Sequence, residues 1–242
     1  MLTLEHLAWS LPDGTDIVKD VSLTAKDGKL VVVTGPNGGG KTSLAKLVAG
    51  LHTQTSGKII FNGKDISGLD ITERARLGIA YAFQQPVRFK GLTVRDLLEI
   101  AAGHELSEDE LCDLLGRVGL CADEYIGREL DSGLSGGEMK RVEIASVLAR
   151  RAPLCIFDEP EAGIDLWSFA RLVETFQDLR ASRQSTLLVI SHQERILSIA
   201  DEIVVIADGR VRQAGPASLI LPMLLADEST PRCPLGKERA SV

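Results

Sequence analysis

The stretch Gly35-Pro36-Asn37-Gly38-Gly39-Gly40-Lys41-Thr42 decides how the rest of the chain is read. It follows a short β-branched run at 30–34. It precedes Leu44, Leu47, Val48 and Leu51, which fall at i, i+3, i+4 and i+7 and predict one apolar helix face. A strand, a glycine-rich turn and a helix, in that order, make a phosphate-binding loop. The glycines let backbone N–H groups close around phosphate oxygens, and the helix N-terminus adds partial positive charge. In the pattern G-x-x-x-x-G-K-[ST], Lys41 reaches the β- and γ-phosphates and Thr42 offers its hydroxyl to Mg²⁺. The candidate nucleotide-binding residues are therefore Gly35, Asn37, Gly38, Gly39, Gly40, Lys41, Thr42 and Ser43.

A second apolar run, 154–157, ends in Asp158-Glu159. A buried parallel strand exposes its C-terminal end at the sheet edge where α/β proteins bind ligands. There Asp158 can hold Mg²⁺ and Glu159 can polarise an attacking water as general base. Upstream, Leu134-Ser135-Gly136-Gly137-Glu138 is a glycine-rich turn opening a helix, a second anion site by the same physics.

These stretches, in this order, resemble the nucleotide-binding domain of the ATP-binding-cassette (ABC) superfamily. The resemblance covers roughly 1–215. It implies ATP and Mg²⁺ as cofactors and ATP hydrolysis as the reaction. It also implies that Ser135, Gly136, Gly137 and Glu138 contact the γ-phosphate held by a second copy, so that two chains pair head to tail. By the same resemblance Gln84 is the Q-loop glutamine that touches Mg²⁺ and water, and Asp165 is the D-loop aspartate between subunits. His192, after the apolar run 187–190, is the switch histidine.

The remaining pattern agrees with an α/β fold: a mainly parallel sheet flanked by helices, with an N-terminal antiparallel part and a small helical lobe. Strands are expected at 2–9, 21–23, 58–61, 79–83, 187–190 and 203–206. Helices are expected from the Gly-rich turn to about 151 and at 166–180, where Leu166, Phe169, Leu172, Val173 and Phe176 make one apolar side. Ser107 and Glu110 form a capping box within the lobe. The expected organisation is a single ABC ATPase domain at 1–226, with its core at 1–90 and 132–226 and the lobe at about 91–131. A polar, mobile tail is expected at 227–242.

The 242 residues carry a formal charge of −7, which disfavours general nucleic-acid binding. No apolar run approaches the roughly 20 residues of a membrane span, and no export signal is evident, so the expected location is cytoplasmic, without membrane insertion. Cys112, Cys121, Cys155 and Cys233 show no CxxC spacing, and of these only Cys233 is expected to be exposed.

Within the superfamily, several details look like the SUF-system iron–sulfur cluster assembly ATPases (SufC type). The signature ends in Glu138 and continues Met139-Lys140-Arg141-Val142-Glu143-Ile144, Gly163 lies in the D-loop, and the Q-loop reads Ala82-Phe83-Gln84-Gln85-Pro86-Val87. That resemblance implies a soluble SufB-like scaffold as partner. The alternative is the ATP-binding subunit of a membrane importer of metal or vitamin type, which Pro160 favours. Chromosome-maintenance ATPases carry long coiled-coil insertions, and no sustained heptads occur here. Where the superfamily stacks an aromatic on adenine, this chain has Leu11, with Trp9 two residues earlier.

Overall fold

The computed structural model describes residues 1–131 and 133–228. Strands β1 (Leu2–Ser10) and β2 (Asp16–Ala25) pair antiparallel across the turn at Pro12-Asp13-Gly14. Next come β3 (Leu30–Thr34), α1 (Lys41–Ala49), β4 (Ser56–Phe61) and β5 (Lys64–Asp65), the last two joined through Asn62 and Gly63 at positive φ. They are followed by α2 (Ile71–Arg76) and β6 (Ile79–Ala82). The helices α3 (Val94–Ala102), α4 (Glu108–Arg117) and α5 (Ala122–Tyr125) fill the stretch read as helical from sequence. After them run α6 (Gly136–Ala149), β7 (Leu154–Asp158), α7 (Leu166–Ser182), β8 (Thr186–Ile190), α8 (Glu194–Ser198), β9 (Glu202–Ala207), β10 (Arg210–Pro216) and α9 (Ala217–Glu228).

The strands form a ten-stranded mixed sheet in the order β5-β4-β1-β2-β10-β9-β3-β8-β7-β6. Its half from β9 to β6 is parallel, and its other end is the antiparallel group β1, β2, β4 and β5. Alternation along β3 divides the core. Leu30 and Val32 join the layer containing Leu98, Leu111, Val142 and Phe176 from α3, α4, α6 and α7. Val31 and Val33 join the opposite layer with Leu44, Leu47 and Val48 of α1. Because β3 is central and buried on both faces, the loop leaving its C-terminal end has a rigid base.

Some sequence expectations are corrected. Leu166 is exposed rather than buried with Phe169, because the helix starts only at that residue and its inward turn is taken by Ser168. Cys112 lies inside α4 and Cys121 caps α5, and both are exposed; Cys155 is buried, and Cys233 lies outside the described residues. Helix α9, with Pro222 inside it, runs to Glu228, two residues into the expected tail, and the rest of that tail, 229–242, lies outside the described residues. Among the described residues no helix is long and apolar enough to cross a membrane.

One buried cation joins two helices. Arg74, in α2, is 1% exposed. Its guanidinium donates to the carbonyls of Leu47 (2.5 Å), Val48 (3.1 Å), Leu69 (2.9 Å) and Ser67 (3.1 Å). Two of these are end carbonyls of α1 that have no partner within the helix. Burial pushes the Arg74 pKa down, yet the planar fork of donors keeps it matched to its acceptors. The Leu47 carbonyl also accepts from Gly50 N–H at 3.2 Å and that of Ser67 from Gln54 Nε2 at 3.0 Å, so Arg74→Leu should strand the Val48 and Leu69 carbonyls and lower unfolding free energy by about 2–4 kcal/mol in denaturant titrations. Loss within a few tenths of a kcal/mol would mean that water takes over the bonds.

Candidate functional site

The phosphate loop is shaped by backbone positions that exclude a side chain. Gly35 has φ 131°, and a Cβ there would lie 2.1 Å from the Ile206 carbonyl of β9. Gly40, the residue before α1, has φ 98°, and a Cβ would lie 2.8 Å from the carbonyl of Ile17. The loop is thus clamped between β9 and β2, a cradle that only glycine fits. Lys41 Nζ donates to the carbonyls of Gly35 and Pro36, both at 2.8 Å, and so lies along the loop. Burial pushes its pKa down, opposed by the charges of Glu159 and Asp158.

The ends of neighbouring parallel strands bring the acidic groups to this loop. Asp158, the last residue of β7, has no exposure to water. Its Oδ1 accepts from Thr42 Oγ1 at 3.0 Å and its Oδ2 from the Tyr81 hydroxyl at 2.8 Å. Burial pushes the Asp158 carboxyl upward while those two hydroxyls hold it down. Tyr81 is pushed far above its ordinary range, first by burial and then by the Asp158 charge, so it stays a donor. Glu159 follows in a left-handed conformation, φ 46°, with its N–H on the Ile190 carbonyl at 3.0 Å. Gln84 Nε2 donates to Glu159 Oε2 at 2.7 Å.

A cavity of about 450 Å³ gathers Ile17, Asn37 to Ser43, Gln84, Glu159 and His192. The signature turn is not part of its lining. Ser135 caps α6 by accepting from the Glu138 N–H at 3.3 Å, and Glu138 returns by accepting from the Ser135 N–H at 2.7 Å. Glu138 also accepts a hydrogen bond from the Tyr125 hydroxyl and lies 3.6 Å from Arg128. The Tyr125 bond, more than any other contact, holds Glu138 down at about 2. Ser135 and Gly136 face outward. Gly137 packs on the D-loop, where a Cβ would lie 2.5 Å from the Gly163 carbonyl. Asp165 caps α7, accepting from the N–H groups of Trp167 and Ser168 at 3.0 Å and from Ser168 Oγ at 2.7 Å.

Trp9, the aromatic nearest the expected adenine-stacking position, is not in the lining of this cavity. Its ring stacks on His52 at 4.4 Å and 10°, while Leu11 is partly exposed and Ile17 lines the cavity.

Sequence reasoning also missed Lys140. Its side chain is wholly buried, and Nζ donates to the carbonyls of Phe83, Gln84 (3.3 Å) and Asp158 (3.2 Å). Glu143, one turn on, accepts from the Phe83 N–H at 3.0 Å and lies 3.8 Å from Lys140. The available signal was a helix buried nearly all round, with Met139, Val142, Ile144, Ala145, Val147 and Leu148 covered, where a lysine must find partners.

Burial pushes Glu143 from 4.5 up to about 7, against the pull of Lys140. A carboxyl raised on folding keeps a proton that the unfolded chain has released. Its contribution is therefore fully present below the unfolded pKa of 4.5 and is lost as pH rises through about 7. The stability of the parent relative to Glu143→Gln should fall between pH 5 and pH 8 in thermal melts. A gap that stays constant over that range would show that Glu143 does not titrate there.

The donor set fits the expected ligands: a glycine cradle and lysine for phosphates, and the hard oxygens of Thr42 and Asp158 for Mg²⁺. Comparison with known proteins agrees. The family described as "ABC transporter" matches residues 18–162. An uncharacterized ABC transporter ATP-binding protein of Methanocaldococcus jannaschii is 38% identical over 208 residues, covering 83% of each chain. The probable ATP-dependent transporter ycf16 of Cyanophora paradoxa is 32% identical over 222 residues, covering 86% of this chain and 85% of its own. Among solved structures, a dimeric ATP-binding cassette in a post-hydrolysis state with ADP and Pi superposes with a TM-score of 0.80. It is 22% identical, covers 90% of this chain and 99% of its own, and so is similar in fold. This chain belongs to the ABC transporter ATP-binding family and is an ATP- and Mg²⁺-binding enzyme that hydrolyses ATP.

Proposed function

We propose that this chain is one half of an ATP-closed, head-to-tail pair that drives a transport complex. One observation carries the reading. The cavity collects the phosphate loop, Gln84, Glu159 and His192, while the outward-facing serine and glycine of the signature turn lie outside it. A site whose second anion-binding turn faces away from its own phosphates is completed by another copy.

Within one chain, Gly35, Asn37, Gly38, Gly39, Gly40 and Ser43 wrap the phosphates and Lys41 meets the β- and γ-oxygens. Thr42, Asp158 and Gln84 hold Mg²⁺. When bound, Mg²⁺ neutralises charge on the transferring phosphoryl group. Glu159 takes the proton of the attacking water, and His192 contacts the γ-phosphate. From the other chain come Ser135, Gly136, Gly137 and Glu138, with Asp165 at the junction. Gln84 has two claims on it. Its amide Nε2 donates to Glu159, which leaves Oε1 as the atom that would meet Mg²⁺, so one side chain would join the base to the metal's ligands.

The relatives' names, an ABC transporter ATP-binding protein and an ATP-dependent transporter, support a membrane partner. A groove of about 200 Å³ between α2, β6, α3 and α6 offers a place for it. The segments that line or leave the groove expose Ile71, Val87, Phe89 and Ile100. These segments adjoin the Q-loop, so an inserted partner segment would sense the state of Gln84. A second reading, action on a SufB-like iron–sulfur scaffold, is favoured by the signature ending in Glu138, whose carboxylate is held by Tyr125, Ser135 and Arg128.

Glu159→Gln should keep ATP binding, slow turnover by about 10²–10⁴-fold, and accumulate a dimer on sizing columns with ATP. Unchanged turnover would remove Glu159 as base. Ser135→Arg should bind ATP yet remain monomeric; normal dimerisation would refute head-to-tail pairing. Tagged Glu159→Gln protein recovered from its cells with ATP identifies the partner. A multi-span membrane protein supports transport, whereas a soluble scaffold in near-equal amount supports iron–sulfur assembly.

A further inference from the structure

Trp167 is 83% exposed, the most exposed of the large apolar side chains among the described residues, and its neighbour Leu166 is 62% exposed. Scattered surface apolar residues need no explanation. This pair differs because its exposure is held in place. Asp165 caps the first turn of α7 through the N–H groups of Trp167 and Ser168. Ser168 turns inward, where its hydroxyl meets both Asp165 and Arg141 of α6, the latter at 2.8 Å. Phe169 and Leu172 then enter the core. With the inward side of the turn fixed, helical phase leaves Leu166 and Trp167 pointing out.

Their position is tied to the signature turn. The Arg141–Ser168 bond joins the starts of α6 and α7, and Arg141 also donates to Gly119 O, in the turn after α4, at 2.9 Å. Gly137 touches Gly163 of the segment leading into α7. The apolar pair is thus continuous with the face that the proposed function gives to a second copy. Tryptophan is enriched among residues that dominate interface energetics, and a two-fold pairing would use each such residue twice.

We propose that Leu166 and Trp167 are an apolar anchor that a second copy of this chain covers when the pair closes on ATP. The proposal rests on the head-to-tail reading, and its test separates the two. The chain has two tryptophans. Trp9→Phe in the Glu159→Gln protein leaves Trp167 as the sole reporter, with an aromatic ring retained against His52. Association is followed by analytical ultracentrifugation with and without MgATP, and Trp167 by emission maximum and acrylamide quenching.

The expected result is an ATP-dependent dimer in which Trp167 emission shifts to the blue and quenching falls several-fold. Trp167→Glu should then weaken dimerisation at least tenfold while a fluorescent ATP analogue binds the monomer with unchanged affinity. A dimer in which Trp167 stays fully quenchable, and which Trp167→Glu leaves equally tight, overturns the anchor alone and assigns the pair to a different surface. Absence of any ATP-dependent dimer overturns the head-to-tail reading and the anchor with it.

Discussion

An ammonium group wholly removed from water must have its charge answered, and Lys140 is answered by three carbonyls of the chain, with the Glu143 carboxylate 3.8 Å away. Those carbonyls belong to Phe83, Gln84 and Asp158. The first two begin the segment leaving β6, and the third ends β7. The lysine itself stands one turn into the helix that the signature opens. One side chain therefore pins three functional segments at a single point. Removing a partner of a buried charge costs several kcal/mol because the remaining group is left uncompensated. The separation of Gln84, Asp158 and the signature helix is consequently stiff, and motion of α6 must carry the Q-loop root with it.

Arg74 uses the same device on the other side of the sheet, where its guanidinium closes the end of α1 against α2. The phosphate loop is therefore held at both ends of its helix: by glycine contacts with Ile206 and Ile17 at the start, and by a buried cation at the finish. A loop meant to close around a multiply charged ligand has to resist its own repulsions, and this anchorage supplies the preorganisation.

How much of this was legible in the sequence follows the range of each interaction. The phosphate loop, the strand ending in Asp158-Glu159 and the Ser107–Glu110 capping box are local patterns, and the structure forms each where the spacing places it. Gln84, Glu159 and His192 come together because they follow parallel strands, so fold class alone brings them to one edge. Lys140 was not legible, since its acceptors are backbone carbonyls that carry no residue signature. Leu166 was misplaced because periodicity gives the phase of a helix but not which neighbour its first turn meets. Trp9 stood near the expected adenine position, yet its ring is engaged by His52, a residue distant in sequence.

The conformation of Glu159 follows from these constraints rather than adding to them. Its N–H must reach the Ile190 carbonyl to continue the ladder of β7 on β8, and its own carbonyl accepts from Ala162 at 3.1 Å. Meeting both requires the chain to turn at once after a fully buried strand, which places a non-glycine residue at φ 46°. Such a conformation costs of order 1–3 kcal/mol and persists only where the surroundings impose it. The result is a carboxylate whose direction is set by backbone on one side and by Gln84 on the other. Because Gln84 hangs from the joint made by Lys140, the signature helix, the Q-loop and Glu159 form one mechanical chain. A change at the signature face or at the helical lobe therefore has a physical route to the carboxylate beside the phosphate loop.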